Sequence, residues 1–476
     1  MTPPLTRDQL RDRRVTVAGA ARSGVAAARL LTKYGAQVFV TDSGAGAAGA
    51  ADALAAAGIA AEWGGHTARA LEADFVVVSP GVPDEAPPLA GAVTAGVPVY
   101  SELEVASWLC AGPIVAITGS NGKTTTTSLV AHIVRQSGRD MVVAGNIGQP
   151  LSDVVDEVTP ETIVVLEVSS FQLDHVSTFR PAVAVLLNVT PDHLVRYDND
   201  FEKYAASKYR IFESQGAGDV LVYNVDDAMV AGAVAALPDG GAQRLGISIE
   251  RELERGAFVR WDSTATAGRI VLALTEPPRG RAAGDDTPIH EEELMATNDL
   301  ALRGRHNLYN SLAAAIAARA VEIRSDVVRQ SLASFEGVPH RLERVRTVGG
   351  VTFVNDSKAT NVNAVWYALE SFDAGVILIA GGRDKGNDYG PLKTLVEQKV
   401  KGVVAIGESA EKVLAELGPH APHTARASSM EEAIQYARLM AESGDIVLLS
   451  PACASFDMFR DYEDRGDTFR DVVMGL

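Results

Sequence analysis

The run Val115-Ala-Ile-Thr-Gly-Ser-Asn-Gly-Lys-Thr-Thr-Thr126 restricts the possible folds of this chain more than any other stretch. Its apolar, β-branched start reads as a buried strand and its glycines as a tight turn. The apolar positions from Leu129 to Val134 then read as one face of a helix. A strand that passes through a short turn straight into a helix belongs in a parallel sheet covered by helices. Such a turn can also hold phosphate. Backbone N–H groups at a helix N-terminus point at an anion, Gly119 and Gly122 permit close approach, Lys123 adds positive charge, and Thr124 offers a hydroxyl to a magnesium ion. One position departs from the general pattern G-x-x-x-x-G-K-[ST], because Ile117 stands where its first glycine is expected. A chance Gly-Lys-Thr in a surface turn is the alternative, and the strand and helix signals on either side argue against it.

At 476 residues the chain has room for about three domains at roughly 150 residues each. Its 61 acidic and 43 basic residues give a formal net charge of −18, which opposes binding to nucleic acid or to an anionic membrane surface. A phosphorylated ligand must therefore be met by local positive groups. Cys110 and Cys453 are too few for a disulfide framework, so a reducing compartment is the simpler expectation. There is no secretory signal pattern and no apolar run of about eighteen residues. The expectation is a cytoplasmic protein without membrane insertion.

Three α/β blocks follow one another. The first opens β-α-β, with a strand at Val15–Gly19, an alanine-rich helix to about Tyr34 and a strand ending at Asp42; Phe75–Val78 and Val97–Tyr100 add further strands. The second holds the phosphate loop and strands at Met141–Val143, Thr162–Leu166 and Ala182–Leu187, whose apolar runs suit a parallel sheet buried on both faces. Leu245–Glu293 reads as a strand-rich excursion with mobile polar loops, and a helix over about Arg305–Ala320 closes the block. The third alternates again, with strands at Val351–Asn355, Val376–Ala380, Gly402–Ile406 and Asp445–Leu449 and a helix from about Asn363. The expected domains are 1–101, 102–338 and 339–476.

Polar groups gather at the expected strand ends, where open α/β sheets bind ligands. Glu167 ends an apolar strand beside the phosphate loop, and a carboxylate there suits magnesium, which takes oxygen ligands from one or two carboxylates, phosphate and water. Asp192 and His193 follow the next strand. His132 and His175 lack such context and read as structural. Lys208, on an amphipathic helix, reads from composition as a surface lysine, and Asn307 as no more than a helix N-cap. In the third block three strand ends carry Asn355-Asp-Ser-Lys-Ala-Thr-Asn361, Gly381-Gly-Arg-Asp-Lys-Gly386 and Ser450-Pro-Ala-Cys-Ala-Ser455. Basic and hydroxyl groups at all three suggest an anionic small molecule.

Taken in order, Thr118–Thr124, Gly145-Asn-Ile-Gly148, Glu167-Val-Ser-Ser-Phe-Gln172, Asn188-x-x-x-Asp-His193, Gly304-Arg-His-Asn307 and Pro339-His-Arg341 resemble the Mur ligases over nearly the whole chain. The motifs at 356–361 and 450–455 look like the D-glutamate-adding branch of that family. The resemblance implies an α/β fold of three domains: a Rossmann-like N-terminal domain for a UDP sugar, a central ATPase domain with a mostly parallel sheet, and a Rossmann-like C-terminal domain for the amino acid. It implies ATP and Mg²⁺ as cofactors, UDP-N-acetylmuramoyl-L-alanine and D-glutamate as substrates, and a monomer. The implied chemistry phosphorylates a carboxylate, which D-glutamate's amine then attacks.

By motif the resemblance implies ATP contacts from Gly119, Ser120, Asn121, Gly122, Lys123, Thr124, Thr125, Asn307, Asn310, Arg341 and Asp356. It implies metal ligands at Thr124, Glu167, His193 and Lys208, the last at the position the family carbamylates, with Lys123, His193 and Lys208 catalytic. Asn146, Ser23, Asp42 and Ser43 would face the UDP substrate. Thr360, Lys385, Ser455 and Tyr462 would face D-glutamate, Tyr462 standing where the family often has phenylalanine. Val195 occupies a position where relatives commonly carry aspartate. The turn Gly19-Ala-Ala-Arg-Ser-Gly24 lacks the middle glycine of a dinucleotide fingerprint, which disfavours NAD and a dehydrogenase. A related ligase with another acceptor, Mur-type or folylpolyglutamate-type, and a nonenzymatic nucleotide-binding module are the competing readings.

Overall fold

The computed structural model describes residues 4–263, 267–275, 288–372, 375–384 and 386–476. The described residues form three sheets, and the chain divides into two compact units: residues 1–299 with 309–333, and 300–308 with 334–476. The first unit holds two sheets. One consists of β1 (Arg14–Ala18), β2 (Gln37–Asp42), β3 (Ala60–Trp63), β4 (Phe75–Val78) and β5 (Val99–Ser101). It is parallel throughout, in the order β3-β2-β1-β4-β5. The chain therefore reverses direction across the sheet at β1, and the crevice outside that strand's carboxyl end is the place such sheets reserve for ligands.

The second sheet consists of β6 (Ile114–Thr118), β7 (Met141–Gly145), β8 (Ile163–Glu167), β9 (Val183–Leu186), β10 (Val220–Asn224), β11 (Gln243–Ser248), β12 (Gly256–Trp261), β13 (Gly268–Leu274) and β14 (His290–Ala296). Its order is β14-β13-β12-β11-β10-β9-β6-β8-β7. Pairing is parallel from β7 as far as β12 and antiparallel across β12, β13 and β14. The switch in strand order falls at β6, the strand that runs into the phosphate loop. The excursion expected after Leu245 is this antiparallel edge; the Pro-Arg-Gly-Arg turn expected inside it lies outside the described residues, and the acidic run Glu291–Glu293 lies in β14.

The third sheet, in the second unit, consists of β15 (Glu343–Val348), β16 (Val351–Asn355), β17 (Val376–Gly381), β18 (Val400–Ile406), β19 (His423–Arg426) and β20 (Ile446–Leu449), ordered β15-β16-β20-β17-β18-β19. Only β15 runs antiparallel. The central strands of all three sheets are Val/Ile/Leu runs buried on both faces, as covering helices require. Within the first unit the two sheets share one continuous apolar core. A buried carboxylate pins their junction: Glu104 accepts the N–H groups of Ser177, Thr178 and Phe179 at 3.1, 2.8 and 2.9 Å and the indole N–H of Trp108 at 3.1 Å.

Candidate active site

The departure at Ile117 has a structural reason. Ile117 lies inside β6, fully buried, paired with Glu167 on β8 and Val185 on β9, so the turn begins only at Gly119, whose φ is +153°. Gly122 (φ +86°) closes the turn and caps the helix Lys123–Gln136. A Cβ there would come within 2.4 Å of Asn310 Oδ1, so a larger residue would displace Asn310 as well as strain the backbone. Asn310 also accepts a hydrogen bond from Thr126 Oγ1 at 3.2 Å. The loop is braced from β9: Asn121 N–H donates to Asn188 Oδ1 at 2.8 Å, Asn188 Nδ2 returns one to Asn121 O at 3.0 Å, and Ser120 Oγ donates to Thr190 O at 2.8 Å.

Five side chains converge on this loop. Thr124 Oγ1 donates to Glu167 Oε2 at 2.7 Å, both residues being buried, and Asn146 Nδ2 donates to Glu167 Oε1 at 2.7 Å. Glu167 reaches its place because β8 lies beside β6 and ends at the same edge. Lys123 Nζ donates to Gly119 O and Ser120 O, each at 2.9 Å.

Lys208 is 1% exposed, which corrects the surface reading that composition gives. It sits on the inner face of the helix Phe201–Glu213 with Tyr204, Ser207 and Ile211. Its Nζ donates to the same Gly119 O at 3.0 Å and lies 4.7 Å from the centroid of the Tyr204 ring. Burial, and next the charge of Lys123, hold the Lys208 ammonium well below the ordinary lysine pKa.

His193 stands apart from these five. It is largely exposed, has φ +52° and packs its ring edge-on against Phe171 at 5.2 Å. Among the described residues no three His, Cys, Asp or Glu side chains form a ready-made metal cage. The hydroxyl and carboxylate oxygens of Thr124 and Glu167 nevertheless suit a hard cation, which such sites complete with phosphate and water.

At the first sheet, Asp42 Oδ2 accepts the N–H of Ala20 at 2.6 Å and Oδ1 that of Gly44 at 2.7 Å, which ties the end of β2 to the turn after β1. Ser23, half-buried, lies in the first turn of the helix Arg22–Lys33, and Ser43 is exposed beside Asp42. A Cβ on Gly24 would lie 1.9 Å from Gly19 O, so this glycine sets a close strand–helix approach.

In the second unit, Asn307 is not an N-cap. The helix begins at Arg305, and the Asn307 amide donates back to Arg303 O at 2.8 Å. Neighbouring His306 is half-buried, and desolvation followed by the charge of Arg341 lowers its pKa to about 4. Asp356 is fully buried; its Oδ2 accepts from Ser450 Oγ at 2.9 Å and its Oδ1 from Leu342 N–H at 3.2 Å. Burial raises its pKa to about 6 against the opposing charge of Arg341. Thr360 is half-buried just before Asn361, which caps the helix Val362–Glu370, and Ser455 is buried. Tyr462 opens the helix Tyr462–Met474, with Lys358 Nζ 5.2 Å from its ring centroid. Lys385 lies outside the described residues.

The framework beneath this second site was not read from the sequence. Arg465, 1% exposed, donates to Ser357 Oγ at 3.0 Å, Ser357 O at 2.8 Å and Cys453 O at 3.1 Å, which binds the segment after β16 to the segment after β20. Cys453 Sγ lies 3.2 Å from Tyr389 Oη and 3.4 Å from Ser409 Oγ. Tyr204, whose hydroxyl lies 2.9 Å from Ser120 Oγ, was also missed. Its spacing four residues before Lys208, with Ile211 and Phe212 beyond, was the available signal, because those positions share one helix face.

Comparison with known proteins bears on all three sheets. Residues 13–101 match the family described as Mur ligase MurD-like N-terminal domain, residues 117–318 the Mur ligase middle domain, and residues 340–453 the Mur ligase glutamate ligase domain. A UDP-N-acetylmuramoylalanine--D-glutamate ligase from Salinibacter ruber is 57% identical over 99% of this chain and 100% of its own length. One from Chloroherpeton thalassium is 44% identical over the same shares. Among solved structures, a MurF ligase from Thermotoga maritima in complex with ADP superposes with a TM-score of 0.57 at 17% identity, covering 99% of this chain and 97% of the other, a likeness of fold.

Proposed function

The chain belongs to the Mur ligase family, and from that membership we propose that it is the ATP-dependent ligase joining D-glutamate to UDP-N-acetylmuramoyl-L-alanine during peptidoglycan precursor synthesis. The observation that carries the chemistry is the convergence of Lys123 and Lys208 on Gly119 O beside the buried Thr124–Glu167 pair. A carboxylate is a poor electrophile until one oxygen becomes a leaving group. The muramoyl-alanine carboxylate attacks the γ-phosphorus of ATP, ADP departs, and an acyl phosphate results. The free amine of D-glutamate then adds to the acyl carbon, the tetrahedral adduct collapses with release of phosphate, and the nitrogen gives up its proton as the amide forms. Charge on the transferring phosphoryl group is met by Lys123 and by the positive end of the helix that starts there.

Thr124 and Glu167 are the residues that would hold one magnesium ion, and His193 with Lys208 a second. A bound magnesium ion supplies charge neutralisation at the phosphoryl oxygens. Lys208 suits carbamylation because burial favours its neutral amine, the form that adds to carbon dioxide and yields an anionic ligand. Asn146 holds Glu167 in place and faces the UDP substrate, with Ser23, Asp42 and Ser43 at the first sheet. Asn310 joins the loop in holding nucleotide, as do Asn307, Arg341 and Asp356 in the second unit, where Thr360, Lys385, Ser455 and Tyr462 bind D-glutamate. The domains we assign are 1–101 for the UDP substrate, 102–338 for ATP and 339–476 for the amino acid. The enzyme acts in the cytoplasm as a monomer, and no described helix is long and apolar enough to cross a membrane.

Purified protein given ATP, Mg²⁺ and UDP-N-acetylmuramoyl-L-alanine should release phosphate only when D-glutamate is added. Equal turnover with L-glutamate, or turnover with another acceptor in its place, would reassign the substrate within the family.

A further inference from the structure

Between β9 and the helix Phe201–Glu213 the backbone takes an uncommon course. His193, Asp198 and Asn199 have φ of 52°, 55° and 60°, a left-handed conformation uncommon outside glycine that His, Asp and Asn adopt more readily than most residues. Contacts from this segment lead to the first sheet. Arg196 Nη2 donates to Val82 O at 2.9 Å and lies 3.5 Å from Asp84 Oδ1. Asp84 is gripped a second time by His175 Nε2 at 3.1 Å, and His175 O accepts the N–H of Ser101 at the end of β5 at 2.8 Å. Val82 in turn lies over the turn after β1, since a Cβ on Gly19 would meet its Cγ2 at 2.7 Å. On its other side the guanidinium lies 4.9 Å from the centroid of Phe171, the ring that also packs against His193. One continuous path of contacts therefore runs from the Gly19 turn through Val82, Arg196 and Phe171 to His193.

We propose that Arg196 is a positioning residue that couples the loop over the Gly19 turn to the loop carrying His193, so that filling the UDP-substrate site sets the phosphoryl-transfer site. The inference rests on the functional reading above. Only a guanidinium can serve all three contacts at once, because its fork reaches a carbonyl and a carboxylate while its flat face covers a ring. A mere path of contacts is not coupling, so the test must read one site while the other is filled.

Hydrogen exchange on the full-length protein supplies that reading. Saturating UDP-N-acetylmuramoyl-L-alanine should slow amide exchange across residues 193–199 by about threefold or more in the wild type and leave it unchanged in Arg196→Met. In steady-state assays the same variant should raise both the KM for that substrate and the half-saturating Mg²⁺ concentration by about fivefold or more, with the KM for D-glutamate within about twofold. Arg196→Lys should recover part of the effect, because it can still reach Val82 O. A purely structural role would lower the melting temperature without this selective pair of changes. Exchange insensitive to the ligand in the wild type, or still sensitive in Arg196→Met, overturns the inference. D-glutamate-dependent phosphate release by the wild type in the same preparation shows separately whether the ligase reading stands.

Discussion

At the phosphate loop two lysine side chains, Lys123 and Lys208, donate to one carbonyl, whereas beneath the second site one guanidinium, Arg465, spreads its donors over three acceptors. The first arrangement concentrates like charge where a polyanion must bind, and Lys208 meets it in a buried position where the charged form is disfavoured. The second distributes one charge over partners that satisfy it, and Asp356 adds a weak opposing charge nearby. Both regions bury ionisable groups at the carboxyl ends of a sheet. They differ in which state of the protein the buried charge serves. A lysine pair in which Lys123 opposes protonation of Lys208 leaves positive charge for a bound anion to meet, while a guanidinium that links Ser357 to Cys453 holds two ligand-bearing segments in register. The comparison predicts that charge removal costs activity in one region and stability in the other.

The largest expected effect is at the loop. Lys123→Met keeps the length of the side chain and removes its charge, so D-glutamate-dependent phosphate release should fall by about 10²–10³-fold or more. The melting temperature should hold, because the Lys123 charge serves the ligand and, within the fold, only disfavours protonation of the buried Lys208. Retained turnover with a lowered melting temperature would reverse the contrast and make Lys123 a structural residue.

The two regions also differ in how far the sequence disclosed them. Val115 to Thr126 announces its own strand, turn and helix, since β-branched residues, glycines and apolar periodicity each act locally, and the helix Arg305–Ala320 was read to its ends for the same reason. Short or polar strands such as β3, β15 and β19 carry no such pattern and owe their pairing to neighbours distant in sequence. Glu167 was legible because a strand end can be placed from the strand. Lys208 was legible only through family resemblance, although its spacing with Tyr204 and Ile211 put it on the apolar face. Arg465 had no local mark at all. Its importance lies in where Ser357 and Cys453 arrive, and that is a property of the third sheet's strand order rather than of the helix that carries it.

That position supplies the second test. Arg465→Met leaves the neutral acceptors Ser357 O and Cys453 O buried and removes the donor, and hydrogen bonds to a charged group are worth roughly 1.5–3 kcal/mol. Hydrogen exchange should show faster opening of the second unit's strands β16, β17 and β20, while peptides from the phosphate loop keep the wild-type rate. Uniform protection across both units would show that Arg465 serves binding more than stability, which would erase the distinction between the regions.

The smallest effect concerns a buried charge that belongs to neither site. Glu102, at the start of the helix Glu102–Ser107, accepts the N–H of Ser152 with Oε1 at 2.7 Å, while Oε2 is buried with no hydrogen-bond partner among the described residues. Desolvation raises its pKa from 4.5 to about 7. Between those values the folded state binds more protons than the unfolded state, so folding stability falls as pH rises through that window and the loss is complete above it. A change from 4.5 to about 7 corresponds to roughly 3 kcal/mol at most. Glu102→Gln, uncharged at every pH, should therefore raise the urea midpoint of the first unit at pH 8 and leave it nearly unchanged at pH 4, with phosphate release at pH 8 unaltered. Lys208 and Glu102 experience the same desolvation, yet only Lys208 faces a site. Activity that changed with Glu102 would mean that burial of charge anywhere in the first unit is transmitted to the phosphate loop, and the contrast drawn between ligand-serving and fold-serving charge would then have to be redrawn around the shared core.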